Sequence, residues 1–415
     1  MTRATAWICL LAAALSLLFV APSRAQQAGE DLSPVGDPLF DPNSLSGEMR
    51  VWYDRMWESI EASRATVDAR SSSRDLYLLG RYVNDYTTAL IFALRATGDL
   101  RFLDRAAEIW ENARATLADE WCDGTTDGYV NWVWLINPDV TSEYCKDTHH
   151  MDEAMAHGPV ALLAYTLDRN RDLDPAYGEK ADFWVSYLET QFLAKWTARA
   201  GDPVAAWETG AGFYKRFTHP RANQLRVAYY LHKLTGKPFY LERAGAIDSD
   251  LASHLEVNPS VSTALQWKHQ VAGTDEGYQK VQYAHYFMNV AMEMNLEGFG
   301  SDADAATMAK FASTFRDVVL KPASSMTERV DGTGSVGRKL YGHSGLGRWD
   351  PTHMILDRAE AAYRPGSTGV NLAGAAMMAV SNRTGAPPPP DPDPGPDTTP
   401  PTSPTNLRRL DRLGT

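Results

Sequence analysis

The sequence predicts an all-α protein, on two observations. Helical periodicity dominates from about residue 45 to residue 383, and no strand-like alternation of comparable length interrupts it. An internal repeat supports the same reading. Leu94-Arg-Ala-Thr-Gly-Asp-Leu-Arg-Phe-Leu-Asp-Arg-Ala106 and His232-Lys-Leu-Thr-Gly-Lys-Pro-Phe-Tyr-Leu-Glu-Arg-Ala244 share Thr-Gly and then Leu-(Asp/Glu)-Arg-Ala at an offset of 138 residues.

The elements follow in order. A first helix is expected over Met49 to Thr66. Between Tyr82 and Thr97 the residues Tyr82, Tyr86, Ala89, Leu90, Ala93, Leu94 and Thr97 share one helical face. After the turn Thr97-Gly98-Asp99 the stripe resumes at Leu103, Ala106, Ala107, Trp110 and Ala113. This is a helical hairpin closed by a glycine cap. Copies begin near residues 84, 153, 222, 283 and 352, spaced by 61 to 70 residues. With the first helix they make five or six hairpins. Such hairpins stack in an open row or close into a ring. Their length, their aromatics and the long irregular connections between them predict the ring, an α/α toroid around a central funnel.

The 415 residues are 44% hydrophobic and include 12 Trp, 18 Tyr and 13 Phe, enough for a packed core. With 40 basic and 52 acidic side chains the net charge is −12, which argues against a nucleic-acid-binding surface. An anionic ligand would need a focused pocket.

Residues 1–25 read as a secretory signal, with Arg3, an apolar run from Ile8 to Val20, and Ser23-Arg24-Ala25 before Gln26. No later apolar run approaches the roughly 20 residues of a membrane span, so the mature chain is expected outside the cytoplasm. Cys122 and Cys145 remain in it and are expected to form one disulfide. Residues 26–385 make the expected catalytic domain. Ala386 to Pro404 holds 10 of the 24 prolines and reads as a stiff linker. The tail 405–415 is too short for a domain, although Asp397 to Leu407 resembles the start of a fibronectin type III module.

Turns within hairpins are short, whereas the connections between them, roughly 118–150, 199–220, 257–281 and 322–351, are long. In a ring these connections share one rim, together with the helix N-termini that follow them. Seven of the ten histidines (149, 150, 219, 269, 285, 343, 353) fall there. Aromatic rings beside cationic and amide groups suit a carbohydrate, whose faces stack and whose hydroxyls accept and donate directional hydrogen bonds. Proton abstraction beside a uronate carboxylate also needs donors to neutralise that carboxylate and a His or Tyr to move protons. His219, Arg221 and Asn223 supply donors at the start of one helix. Tyr283, His285 and Tyr286 supply acid/base groups at the start of the next, with the two tyrosines on one face.

These His-x-Arg-x-Asn and Tyr-x-His-Tyr clusters, on a secreted chain of α/α hairpins, resemble the α/α-toroid polysaccharide lyases of alginate and glucuronan. The resemblance implies β-elimination on an acidic polysaccharide, with Asn223 and His219 as carboxylate neutraliser and base, Arg221 beside them, and Tyr283 or Tyr286 as the acid. Substrate would be bound by His150, Trp132, Trp134, Trp207, Trp267, His285, Arg338, Tyr341, His343 and Arg348. A monomer without cofactor is expected. No metal is expected either, because His149, His150, Glu153 and His157 have helical spacing without the His-Glu-x-x-His order.

Two other functions fit the same rim. An inverting glycoside hydrolase needs two carboxyl groups about 6.5–9.5 Å apart, and Asp85, Asp152, Glu153, Glu208, Asp275 and Glu276 are candidates. A sugar-binding protein would use the aromatics alone.

Overall fold

The computed structural model describes residues 32–136, 143–271, 277–301, 304–322, 325–335, 337 and 342–381. The signal segment, the Pro-rich linker and the tail lie outside the described residues. No described helix is long and apolar enough to cross a membrane.

Helices alternate between an outer and an inner layer, as the repeat predicts. The outer ones are α1 (Gly47–Ser71), α3 (Leu100–Arg114), α5 (Pro175–Tyr187), α7 (Pro238–Ala252) and α9 (Ala305–Ser313). The inner ones are α2 (Asn84–Thr97), α4 (His150–Arg169), α6 (Thr218–Thr235), α8 (Val281–Glu297) and α11 (Ser367–Val380), with α10 (Met354–Ala362) before the last. Inner helices α2, α6 and α8 each end on a left-handed glycine, Gly98, Gly236 and Gly298. Only glycine takes that conformation without a steric penalty, so the Thr-Gly repeat is a stop signal.

Around the ring α2 packs on α4, α4 on α6 and α6 on α8. A 3₁₀ segment, Gly342–Trp349, joins α8 to α11, and α11 returns to α2. The fold is therefore an α/α toroid. The last unit differs from the expected hairpin: α10 is short, and α11, which the spacing placed outside, is an almost wholly buried inner helix whose outer partner is α1 from the other end of the chain. Closing the ring this way removes both open ends.

Two local features let the inner helices approach. Pro159 in α4 has no N–H to give the Met155 carbonyl, which accepts instead from Asn84 Nδ2 at 2.8 Å. On α11, a Cβ at Gly374 would lie 2.3 Å from the Ala89 carbonyl oxygen, so only glycine permits the contact with α2.

The long connections carry strands that the sequence did not suggest. Antiparallel pairs β1 (Ala118–Glu120) with β2 (Thr126–Asn131), β3 (Leu255–Val257) with β4 (Leu265–Trp267), and β5 (Leu320–Lys321) with β6 (Ser325–Met326) each occupy one connection. Runs of two to six residues are too short for alternation to register. Cys122 and Cys145 form a disulfide, Cα to Cα 5.4 Å, across the first connection.

Candidate active site

The first turns of α2, α4, α6 and α8 converge around Arg81. This residue sits in a π-helical turn, Leu79–Val83, that runs directly into α2, a distortion that re-aims side chains and recurs at functional sites. Arg81 Nε donates to Asp152 Oδ1 of α4 at 3.2 Å, and its carbonyl accepts from Tyr286 Oη of α8 at 2.8 Å. The guanidinium lies 5.3 Å from the Tyr283 ring and 6.0 Å from the Tyr286 ring, within cation–π range.

Two carboxylates stand on these first turns. Asp152 accepts from Arg81 and from Trp134 Nε1 (2.9 Å), and His149 Nδ1 lies 3.0 Å from it. Asp85 is different. Its Oδ2 is 2.8 Å from His285 Nε2, while its buried Oδ1 has no hydrogen-bond partner among the described residues. One turn along from Asp85 and His285, Thr88 Oγ1 and Asn289 Oδ1 are also buried and unpartnered among the described residues. A buried polar atom left unpaired costs about 1–3 kcal/mol, so these atoms suit a site that meets hydroxyl groups.

His219, at the head of α6, stacks on Tyr283 with ring centroids 4.9 Å apart and planes 9° apart. Neither of its ring nitrogens has a partner among the described residues. Burial, followed by the charges of Arg81, His269 and His285, pushes this imidazole well below its usual pKa, so it is neutral. Burial, with the Asp85 charge adding, holds the Tyr286 hydroxyl well above its usual value.

Beside the funnel lies a cleft of about 490 Å3, walled by Glu143, His149, His150, Gly210, Tyr214, Lys215, Arg216, Phe217 and Gln270. It adjoins the carboxylates through His149, which stacks on Trp134 at 4.6 Å. It adjoins His219 through Phe217, 6.1 Å away. His150 faces it, with Nδ1 3.4 Å from the Tyr214 carbonyl oxygen. Burial, then Lys215, lowers the His150 pKa.

Several expected site residues belong elsewhere. Asn223 is fully buried among the inner helices: Nδ2 donates to the His219 carbonyl (3.0 Å), and Oδ1 accepts from Asn84 and Arg226, both at 3.2 Å. It fastens α2, α4 and α6. Arg221 turns away to Asp250 (3.0 Å) and the Trp207 carbonyl (2.9 Å). Trp132 is core, donating to the Ala113 carbonyl between Trp110 and Trp184. Trp207 packs on Phe213 and Tyr240, and Trp267 lies between Phe287 and Phe311. His343 is buried against Phe315 at 4.0 Å, with His285 5.8 Å away. Arg348 is half-buried beside Trp349, in the segment that closes the ring. Arg338, Tyr341, Asp275 and Glu276 lie outside the described residues. Helical stripes identify which residues lie near a helix head but not which way each one points, and that explains these differences.

Among the other carboxylates, Glu208 is exposed and paired with Arg243. Glu153 has no exposed surface. It is held by Asn131 (2.8 Å), Lys195 (3.1 Å) and Trp196 (3.4 Å). Burial pushes it up to about 7 despite Lys195, a value that suits a general acid, yet its enclosure makes it part of a structural ion network. In that network burial would raise Asp147, but Lys195 and Arg199 outweigh it and hold Asp147 at about 2. Among the described residues no three His, Cys, Asp or Glu side chains gather as a metal site would need.

No sequence pattern marks Arg81, the hub of the site. It precedes the first inner helix by three residues, in a segment too short to read as a long connection. An arginine next to a helical stripe, in Leu79-Gly-Arg-Tyr-Val83, was the available signal.

No protein-family model matches the sequence, and no curated protein matches it. Among solved structures the chain is similar to a family 76 glycoside hydrolase from a bovine Bacteroides thetaiotaomicron strain, with 14% identity and a TM-score of 0.37 over 70% of this chain and 55% of that one. It is also similar to the GH76A alpha-1,6-mannanase from Salegentibacter sp. HEL1_6, with 17% identity and a TM-score of 0.37 over 72% and 76% of the two chains. This chain thus spans about half the length of the first. The expectation of a lyase on alginate or glucuronan is corrected, because both similar proteins are glycoside hydrolases. The geometry agrees: the expected carboxylate neutralisers, Asn223 and Arg221, are committed to the scaffold and to Asp250.

Proposed function

We propose that the protein is a secreted glycoside hydrolase that cleaves a polysaccharide with inversion, using Asp85 and Asp152. The observation that carries this reading is Asp85, a carboxylate with one oxygen fixed by His285 and the other buried without a partner among the described residues, at the head of the funnel. In this reading Asp85 protonates the leaving glycosidic oxygen. Asp152 is the fixed anion that stabilises positive charge developing on the sugar ring, and through His149, which it orients, it draws a proton from the attacking water. The water oxygen bonds to the anomeric carbon as the glycosidic bond breaks. Thr88 and Asn289 would accept from sugar hydroxyls, and the Tyr283 ring offers a stacking face. The paired cysteines fit an oxidising compartment and support export.

The test is incubation of the purified protein with a panel of polysaccharides, following reducing ends, near-ultraviolet absorbance and, by NMR, the first-formed anomer. Reducing ends without absorbance, released with inverted configuration, are expected. Absorbance from unsaturated products, or a retained configuration, would overturn the proposal.

A further inference from the structure

We propose that the cleft beside the funnel is a subsite for a sugar residue bearing a negative charge, a carboxylate or a sulfate, so that the substrate is an anionic polysaccharide. The inference rests on the hydrolase reading of the neighbouring carboxylates for what happens to the chain after it binds.

Its first support is a pair of cationic side chains that have no anionic partner among the described residues. Lys215 and Arg216 wall the cleft, and neither side chain forms a hydrogen bond or ion pair with any described residue, Lys215 Nζ lying 5.6 Å from the Phe217 ring. The buried cations of the interior are matched, Arg81 with Asp152, Arg95 with Glu297, Arg226 with Glu293, and Lys195 with both Asp147 and Glu153, whereas Lys215, half-exposed, and Arg216, exposed, line the cleft without an ion pair among the described residues. In a chain of net charge −12, two cations against the single carboxylate Glu143 leave this concavity locally positive.

The second support is the setting. The cleft has walls on the N-caps of α4 and α6, His149 and Phe217. The positive dipole ends of helices of 20 and 18 residues therefore add to the same field. Tyr214 and Phe217 offer rings for the faces of a sugar, and the cavity of about 490 Å3 has the size of a ligand site. The third support is continuity. Through His149 the cleft reaches Asp152, so a chain with a charged residue in the cleft runs on to the proposed bond-breaking carboxylates.

Binding of the full chain to dextran, carboxymethyl-dextran and dextran sulfate, measured by affinity electrophoresis and calorimetry, tests this directly. The polymers share a backbone and differ in charge and in its chemical source. The wild type should hold at least one charged polymer tightly and dextran weakly, and the charged polymer it prefers names the group. Lys215→Ala with Arg216→Ala should weaken that binding by about tenfold or more, the scale of losing charge-assisted hydrogen bonds, without changing binding to dextran. Lys215 is half-exposed and Arg216 exposed, so an unchanged melting temperature is expected to show that the variant is folded. Equal binding of all three polymers, or binding of the charged ones that survives the double substitution, would overturn the proposal. Binding is read without turnover, so a charged polymer that is bound through Lys215 and Arg216 but never cleaved would sink the hydrolase reading and leave the subsite standing.

Discussion

Asp85 on α2 and His285 on α8 are 200 residues apart in the chain and meet at 2.8 Å at the head of the funnel. The contact fixes one carboxylate oxygen and leaves the other without a partner among the described residues. A proton-transfer group needs that combination: it is held in place, yet still able to meet a reacting atom.

Replacement of Asp85 by Asn keeps the volume and removes the transferable proton. Turnover should fall by about a hundredfold to ten-thousandfold, the usual worth of a positioned acid, and Asp152→Asn should fall at least as far. Initial rates of reducing-end release measure both. An Asp85→Asn enzyme with wild-type rate would remove Asp85 from the reaction.

Trp132 and Trp134 are two residues apart, on different business. Trp132→Ala should destabilise the protein by about 3–5 kcal/mol, because it empties a fully buried site among Trp110, Trp184 and Tyr187. Trp134→Phe removes the donor to Asp152 Oδ2 and should lower turnover more than it lowers the melting temperature. Thermal melts and rates on the two variants separate the cases.

Asp147, held at about 2 by Lys195 and Arg199, titrates below its ordinary value of 3.8. A depressed folded-state pKa contributes stability that is present above the unfolded value and lost as pH falls through the folded one. Its share, about 2 kcal/mol by the conversion of 1.36 kcal/mol per unit, should therefore disappear between about pH 4 and pH 2. Melting temperatures across that window should fall, and Asp147→Asn should flatten the fall. An unchanged slope in that variant would refute this assignment.

The Cys122–Cys145 bridge closes a loop of 23 residues. By the chain-entropy account such a loop is worth about 3 kcal/mol. A Cys122→Ser, Cys145→Ser protein should melt a few degrees lower, and the wild type should approach it when reduced. The bridge braces the connection that carries Trp134 and leads to His149, so turnover should fall with it.

The helical hairpins, the Thr-Gly stops at Gly98 and Gly236, and the disulfide were legible in the sequence because each depends on local chain properties: period, left-handed caps and cysteine count. That His149, His219, Tyr283 and Tyr286 gather at the helix heads was legible as well, because connection lengths sort the helix ends, whereas Trp132, Trp207 and Trp267 of the same connections are core. The sequence by itself thus determined a ring of hairpins with its candidate site residues on one rim. Only the tertiary structure decided which rim residues serve the site. Asn223 and His219 are one helical turn apart, yet Asn223 is consumed by Asn84 and Arg226 while both nitrogens of His219 stay unpartnered among the described residues. Arg81 becomes the hub only because a π-turn aims it between α4 and α8. The physical reason is that a helical repeat sets spacing along one chain segment, whereas the direction and partner of a side chain depend on neighbouring helices tens to hundreds of residues away.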